Sequence, residues 1–387
     1  MKKSLIILIT LILCSYQTWS QNAACDYPTL SDSAFAGIIT CGPGQEVYET
    51  FGHSALRICD SVNDIDYVFN YGTFNFNQPH FYLKFAKGRL DYYVQRVTFK
   101  HFLWEYEYYG RMVCQQRLLL EKEELQKLFE SLMINAREEN KYYAYDFFRD
   151  NCATRVRDMV ENSLQYRKLL KNDFPAEENS YRSLIHKYTD TCLLWWQLGF
   201  DLLLGSPCDK TLTSPQYMYN PLEMMVQYDT LVLSDGKAVT ESPQTILPQI
   251  WKASPTRFSP TLCFWILFGI VMALSLVSLS TGWRLNWLDA ILFAVTVIVS
   301  LLLLYLWFFS DHTCCNNNFN LLWANPLLIW ILVRIRKPNY IISLIIIAVY
   351  VIFFAGFVWW PQQINPAVIP IALTLLARML FRFFRKW

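Results

Sequence analysis

From residue 261 to its end the chain is a near-continuous series of apolar stretches, roughly 262–280, 288–309, 319–334, 340–360 and 365–381, parted by short polar loops. A helix needs about 20 apolar residues to cross a bilayer core, where its backbone must satisfy its own polar groups. Most of the five stretches approach that length, although the third is short and the fifth carries Pro366 and Pro370. The pattern predicts a transmembrane domain of five helices over 261–387 and leaves 21–255 to fold separately in water, with the Pro- and Ser-bearing stretch 242–260 as the linker.

The N-terminus and the loop charges agree on orientation. Lys2 and Lys3 precede a short apolar run over 4–13, and Thr18 and Ser20 are small enough for cleavage near Ser20 and Gln21, so 1–20 reads as a secretory signal peptide. A lipobox ending at Cys14 is the rival reading, against which Leu13 is bulky. With 21–255 exported, the first, third and fifth stretches end in the cytoplasm. Arg284 stands at the first such end, Arg334, Arg336 and Lys337 at the third, and Arg378, Arg382, Arg385 and Lys386 at the fifth. The opposite loops, 310–318 and 361–365, hold no Lys or Arg, as the positive-inside rule asks. The expected arrangement is a membrane spanned several times, with the water-soluble domain on its exported side. A net charge of +2 gives no basic face for a nucleic acid.

Within 21–255 the pattern is α+β. Runs at 55–59 and 66–74 read as strands, with turn residues such as Asp60 and Asn63 beside them. Leu125, Leu128, Phe129, Leu132 and Met133 recur at helical spacing, which predicts a helix over 121–136. A second helix is expected from Cys152 to about Leu170, with Val156, Met159, Val160 and Leu164 as its buried stripe. Residues 183–228 read as helical, broken near Gly205, Pro207 and Pro221; the apolar run 193–204 is too short to span a bilayer.

The exported part holds Cys25, Cys41, Cys59, Cys114, Cys152, Cys192 and Cys208, an odd set that leaves at least one thiol unpaired in an oxidising compartment. Cys25 with Cys41 and Cys192 with Cys208 are neighbours in sequence, but connectivity is not readable there. Cys152 follows Tyr145-Asp146-Phe147-Phe148-Arg149-Asp150-Asn151 and opens the second helix. The positive end of a helix dipole, with Arg149 and Arg155 nearby, is expected to favour a thiolate nucleophile. A buried or disulfide-bonded thiol is the competing role. Of five histidines, His53 in FGHSALRI has the most informative setting, at the entry to a strand, whereas His80, His101 and His186 read as surface or packing residues.

A histidine opening a strand, a polar residue on the next strand (Asn70 in YVFNYGTFNF) and a later Asn-Cys pair opening a helix resemble the order of a circularly permuted papain-like fold, as in lecithin:retinol acyltransferase. With YAYDFFRDNCATR and a multi-span region, nearly the whole chain resembles the bacterial lipoprotein N-acyltransferase family Lnb. The resemblance implies Cys152 as nucleophile, His53 as base and Asn70 as orienting residue, with a membrane phospholipid as acyl donor and a diacylated lipoprotein as acceptor. No metal or nucleotide cofactor is implied. Beside the backbone N–H of Cys152, the side-chain candidates for holding the oxyanion or substrate are Asn151, Tyr145, Tyr71 and Arg155. Aromatic stretches at 74–85 and 195–200 read either as shields and acyl-chain contacts or as ordinary packing.

Two other readings use the same features. A Cys-His pair serves equally in a membrane-tethered peptidase or amidase acting on cell-wall peptide, and an exported domain on a helical bundle also describes a sensor or transporter. Five membrane segments exceed what a tether needs, and the spans read as lacking the embedded charges that mark an ion path. The outer loop Asp311-His312-Thr313-Cys314-Cys315 is a poor tetrahedral metal site, because adjacent cysteines place both thiols awkwardly; a polar cap, or cysteines tied to the exported domain, fits it better.

Overall fold

The computed structural model describes residues 27–164, 166–170, 180–336 and 339–384; the expected signal peptide, Cys25, Lys337, Arg385 and Lys386 lie outside the described residues. The part before residue 260 is built on an antiparallel sheet of β1 (Phe35–Cys41), β2 (His53–Asp60), β3 (Ile65–Phe74), β4 (Asp91–Thr98), β5 (Val113–Arg117), β6 (Tyr142–Ala144) and β9 (Gln244–Leu247), in the order β6-β4-β3-β2-β1-β5-β9. A two-stranded ribbon pairs β7 (Leu169–Leu170) with β8 (Val232–Leu233). Helix α1 (Phe81–Lys87) links β3 to β4, and α2 (Phe99–Tyr108) covers one sheet face through Phe99, Phe102 and Tyr106, packed on Ile39, Ala55 and Val68. The other face, with Ile38, Leu56, Ile58 and Phe69, is covered by α3 (Lys122–Asn135) and α4 (Cys152–Ser163). Helix α3 buries Leu125, Leu128, Phe129 and Leu132, the stripe expected from its spacing, each contributing about 1.5–3 kcal/mol of burial.

Three boundaries differ from the sequence expectation. Helix α4 stops at Ser163, and Leu169–Leu170 leave it to form β7 against β8, some sixty residues further on. The linker is not all loop, because Gln244–Leu247 add an edge strand beside β5. The helical tract divides into α5 (Tyr181–Thr189), α6 (Leu194–Leu203), α7 (Ser214–Tyr217) and α8 (Pro221–Thr230), with the expected breaks around Gly205, Pro207 and Pro221 and one unexpected break at 190–193. The two strand departures are long-range pairings, which outweigh local periodicity, and the unexpected helix break turns at Thr191, whose φ is +65°.

Beyond residue 259 follow α9 (Pro260–Thr281), α10 (Asn286–Phe309), α11 (Leu328–Val333), α12 (Tyr340–Ala355) and α13 (Val368–Phe384). Among the described residues α9 and α10 are long and apolar enough to cross a membrane, and α12 is a shorter apolar helix. The third expected span is broken: Phe319–Leu322 form a 3-10 turn, Asn325-Pro326 interrupt the helix, and only the six residues of α11 follow. Proline lacks the donor a continuing helix needs and disfavours helical backbone before it. The expectation that the spans carry no embedded charge also fails. Arg378 of α13 donates through Nε and Nη2 to Asp289 of α10 at 2.6 and 3.1 Å and through Nη1 to Ser275 of α9 at 2.7 Å. Arg382 adds a bond to Asp289 at 2.9 Å, and all three charged side chains are buried. Acid and base lie 89 positions apart, so each looks like a loop-end charge until the helices pack.

Polar contacts weld the two parts together. Asp201 of α6, buried, accepts from Arg182 at 2.8 Å, from His186 at 2.9 Å and from Asn365 of the loop before α13 at 2.8 Å. Asn318 and Gln362 donate to the carbonyls of Leu202 and Leu204, satisfying the open C-terminal end of α6.

Candidate active site

The site forms where the sheet ends against the first turn of α4. Gly52 has φ +78°, and a Cβ there would stand 2.5 Å from the Cys41 carbonyl oxygen, so the turn that delivers His53 onto β2 opposite Cys41 requires glycine. Continuing the β2–β3 register places Gly72 across from His53, with Asn70 two residues away on the same face. His53 Nε2 donates to Asn70 Oδ1 at 2.5 Å, which leaves the Nδ1 lone pair to act as a base. Asn151 caps α4 by accepting from Thr154 N at 2.9 Å, and this sets Cys152 in the first helical turn.

Gly72 lies between these groups. A Cβ at Gly72, where φ is +84°, would stand 3.5 Å from Cys152 Cβ, 3.8 Å from Tyr145 Cε2 and 3.9 Å from His53 Cε1. Cys152, His53 and Gly72 line one cavity of about 110 Å³, walled by Tyr145, Asn151 and 219–221 and rimmed by Tyr48, Phe51, Phe74, Tyr92 and Phe147. A larger open cleft of about 1020 Å³, across β4 and α3, contains neither histidine nor cysteine in its lining.

Electrostatics depart from the thiolate expectation. Burial pushes the Cys152 thiol up to about 11, although the backbone N–H groups of Ser54, Ala153 and Cys152 itself pull the other way. Arg149 and Arg155 do not offset the burial: Arg155 forms a two-pronged ion pair with Asp150 and lies 4.1 Å over the Tyr143 ring. Burial likewise holds the His53 imidazole down to about 4, against the Asn70 bond that favours the charged form. The resting pair is therefore thiol and neutral imidazole.

Of the four side chains expected near an oxyanion, three are engaged elsewhere. The Asn151 amide donates to the Phe147 and Tyr219 carbonyls at 2.7 and 2.9 Å. Tyr71 turns to the opposite sheet face from Asn70, as strand alternation demands, and its hydroxyl donates to Asn135 at 2.7 Å. Arg155 is held by Asp150, outside the cavity. Tyr145 stays in the wall, stacked on Tyr92 at 4.1 Å. The sequence reading missed Asn220 and Tyr219. Asn220 is fully buried, its Oδ1 caps α8 through the N–H groups of Leu222 and Glu223, and its Nδ2 has no partner among the described residues; the Tyr219 hydroxyl is also unpartnered. A buried donor without an acceptor costs about 1–3 kcal/mol, so its place beside Cys152 is informative. The local signal was Asn-Pro opening a helix, which reads as a cap and nothing more.

Of the neighbour pairs, Cys25 lies outside the described residues, and Cys192 and Cys208 are both free thiols that lie apart. The Cys208 sulfur lies 3.5 Å from the Cys314 carbonyl oxygen with the two thiols in contact, while Cys192 faces Ala253. Cys41 sits cross-strand from His53, beside Tyr106 and Arg111.

Fold and site thus define an α+β domain that gathers a cysteine, a histidine and an asparagine at the end of its sheet, followed by a helical region with two helices long and apolar enough to cross a membrane. Residues 18–187 match the family model for the Lnb N-terminal periplasmic domain, and 252–386 match the model for the Lnb transmembrane domain. The chain belongs to the Lnb family of lipoprotein N-acyltransferases. Comparison with curated proteins and with solved structures gives no match.

Proposed function

We propose that this protein transfers an acyl chain from a membrane phospholipid, through a thioester on Cys152, to the N-terminal amine of a diacylated lipoprotein. The observation that carries the reading is the meeting, around Gly72, of Cys152 with a histidine whose far nitrogen is held by Asn70. The sulfur attacks the ester carbonyl while His53 Nδ1 takes the thiol proton, and the imidazolium returns that proton to the departing glycerol oxygen, leaving lysophospholipid. The lipoprotein's α-amine, with an ordinary pKa of about 8, then attacks the thioester. His53 takes the amine proton and hands it to the leaving sulfur, and the product is an amide. Cys152 N–H and the unpartnered Asn220 Nδ2 are the donors we assign to the oxyanion, with Tyr145 beside them. The aromatic rim excludes the water that would hydrolyse the thioester.

The same proposal takes the periplasmic domain as a permuted papain-like unit over 21–255 following a signal peptide, and the membrane domain as five passages with the odd-numbered segments ending in the cytoplasm. The loop charges and the helix-end carbonyls capped by outer-loop side chains support that arrangement. The test is purified protein with phospholipid and a diacylated lipopeptide, followed by mass spectrometry. One amide-linked acyl chain is expected on the lipopeptide, absent with Cys152→Ser and His53→Ala; full activity in Cys152→Ser, or muropeptide cleavage without acyl gain, refutes the reading.

A further inference from the structure

Helix α1 is apolar where a water-facing helix is polar: Tyr82, Leu83 and Phe85 are 82, 53 and 54 % exposed, and Phe76 before the helix is 58 % exposed. So large an apolar patch marks a partner or a membrane. The end of α1 is pinned to the segment that follows α10. Asp311 N donates to the Lys87 carbonyl at 2.9 Å, Arg89 Nε to Asp311 at 2.6 Å, and His312 Nε2 to the Phe85 carbonyl at 2.8 Å. Helix α10 itself ends in Phe308 and Phe309, 63 and 72 % exposed, at one end of a bilayer-length span. The apolar side chains of α1 are thereby held beside the end of a bilayer-length helix.

The patch is continuous with the site. Phe76 and Phe81 lie 4.8 and 6.0 Å from Phe74, ring centre to ring centre, and Phe74 is in the rim of the Cys152 cavity. That cavity, about 110 Å³, is smaller than the roughly 150 Å³ void that takes up one benzene ring, so a long acyl chain must extend outside it.

We propose that α1 is the portal for the donor lipid: Tyr82, Leu83, Phe85 and Phe76 sit in the outer leaflet of the inner membrane, and the phospholipid's acyl chain runs over Phe81 and Phe74 to present its ester to Cys152. The proposal rests on the acyltransferase reading, and its occupant is a bilayer lipid rather than the lipoprotein's peptide.

The test uses the full chain in phospholipid nanodiscs, comparing wild type with Leu83→Asp and Phe85→Asp. Two reactions are followed: acyl transfer from nanodisc lipid to a diacylated lipopeptide, and acylation of Cys152 by water-soluble p-nitrophenyl butyrate. Each variant is expected to lose at least tenfold in transfer from nanodisc lipid while its reaction with the short ester stays within twofold of wild type. Unchanged lipid transfer overturns the portal, as does equal loss in both reactions, which locates the damage in the site or fold. A rise confined to the lipopeptide KM overturns it too, because the face would then serve the acceptor. A wild type that transfers no phospholipid chain refutes the acyltransferase reading itself, an outcome distinct from all of these.

Discussion

The reactivity of Cys152 toward iodoacetamide separates the neutral pair found here from a thiolate–imidazolium pair. With its thiol pushed up to about 11, roughly one Cys152 in 10⁴ is ionised at pH 7, against roughly one in 10² for a thiol at its ordinary 9.0. Only the thiolate alkylates, so the second-order rate at pH 7 falls about 100-fold below that of free cysteine, and burial of the side chain slows it further. The rate should rise about tenfold per pH unit between 7 and 10, and His53→Ala should alter it little at pH 7. Single-site alkylation is read by peptide mass spectrometry of the Cys152 peptide over time. Fast alkylation that is flat above pH 5, with an inflection near 4 and a large loss in His53→Ala, would refute the reasoning. The sign for turnover follows from His53. Its imidazole is down at about 4, so it is a neutral base at neutral pH and loses that capacity only as pH falls through about 4. Formation of the acyl-enzyme should accordingly be level from about pH 5 to 10.

Asn220→Asp keeps the oxygen that caps α8 and removes the unpartnered donor, so kcat is expected to fall about 10²-fold with the melting temperature little changed; unchanged kcat excludes Asn220 from the oxyanion site. Arg378→Met strips Asp289 of its two-pronged partner inside the bundle and should cost about 3–5 kcal/mol, read as a lowered unfolding temperature in detergent. Cys208 and Cys314, with thiols in contact, are expected to pass two electrons and two protons to a periplasmic disulfide oxidant and form a cystine; non-reducing peptide mapping that finds both as free thiols would exclude it.

Much was legible from the chain alone, where the signal is local. The first two apolar stretches beyond 260, the strands β2 and β3, the stripe of α3 and the Asn-Cys helix start follow from side chains a few positions apart, and the structure builds each of them. Even His53 and Cys152, 99 positions apart by their numbering, could be singled out, because a glycine turn and a helix cap each mark their own residue. What the sequence left open depends on groups brought together from afar. The break at Asn325-Pro326 matters only because the third stretch had no residues to spare, and Asp289 meets Arg378 only across packed helices. Tyr71, Asn151 and Arg155 looked free until neighbours outside their own segment or on the same turn claimed them, whereas Asn220 looked like a cap until its second nitrogen proved to have no acceptor. The protonation state of the site was decided the same way. A helix start and two arginines argue locally for a thiolate, but desolvation is a property of everything packed around the sulfur, and here it outweighs them.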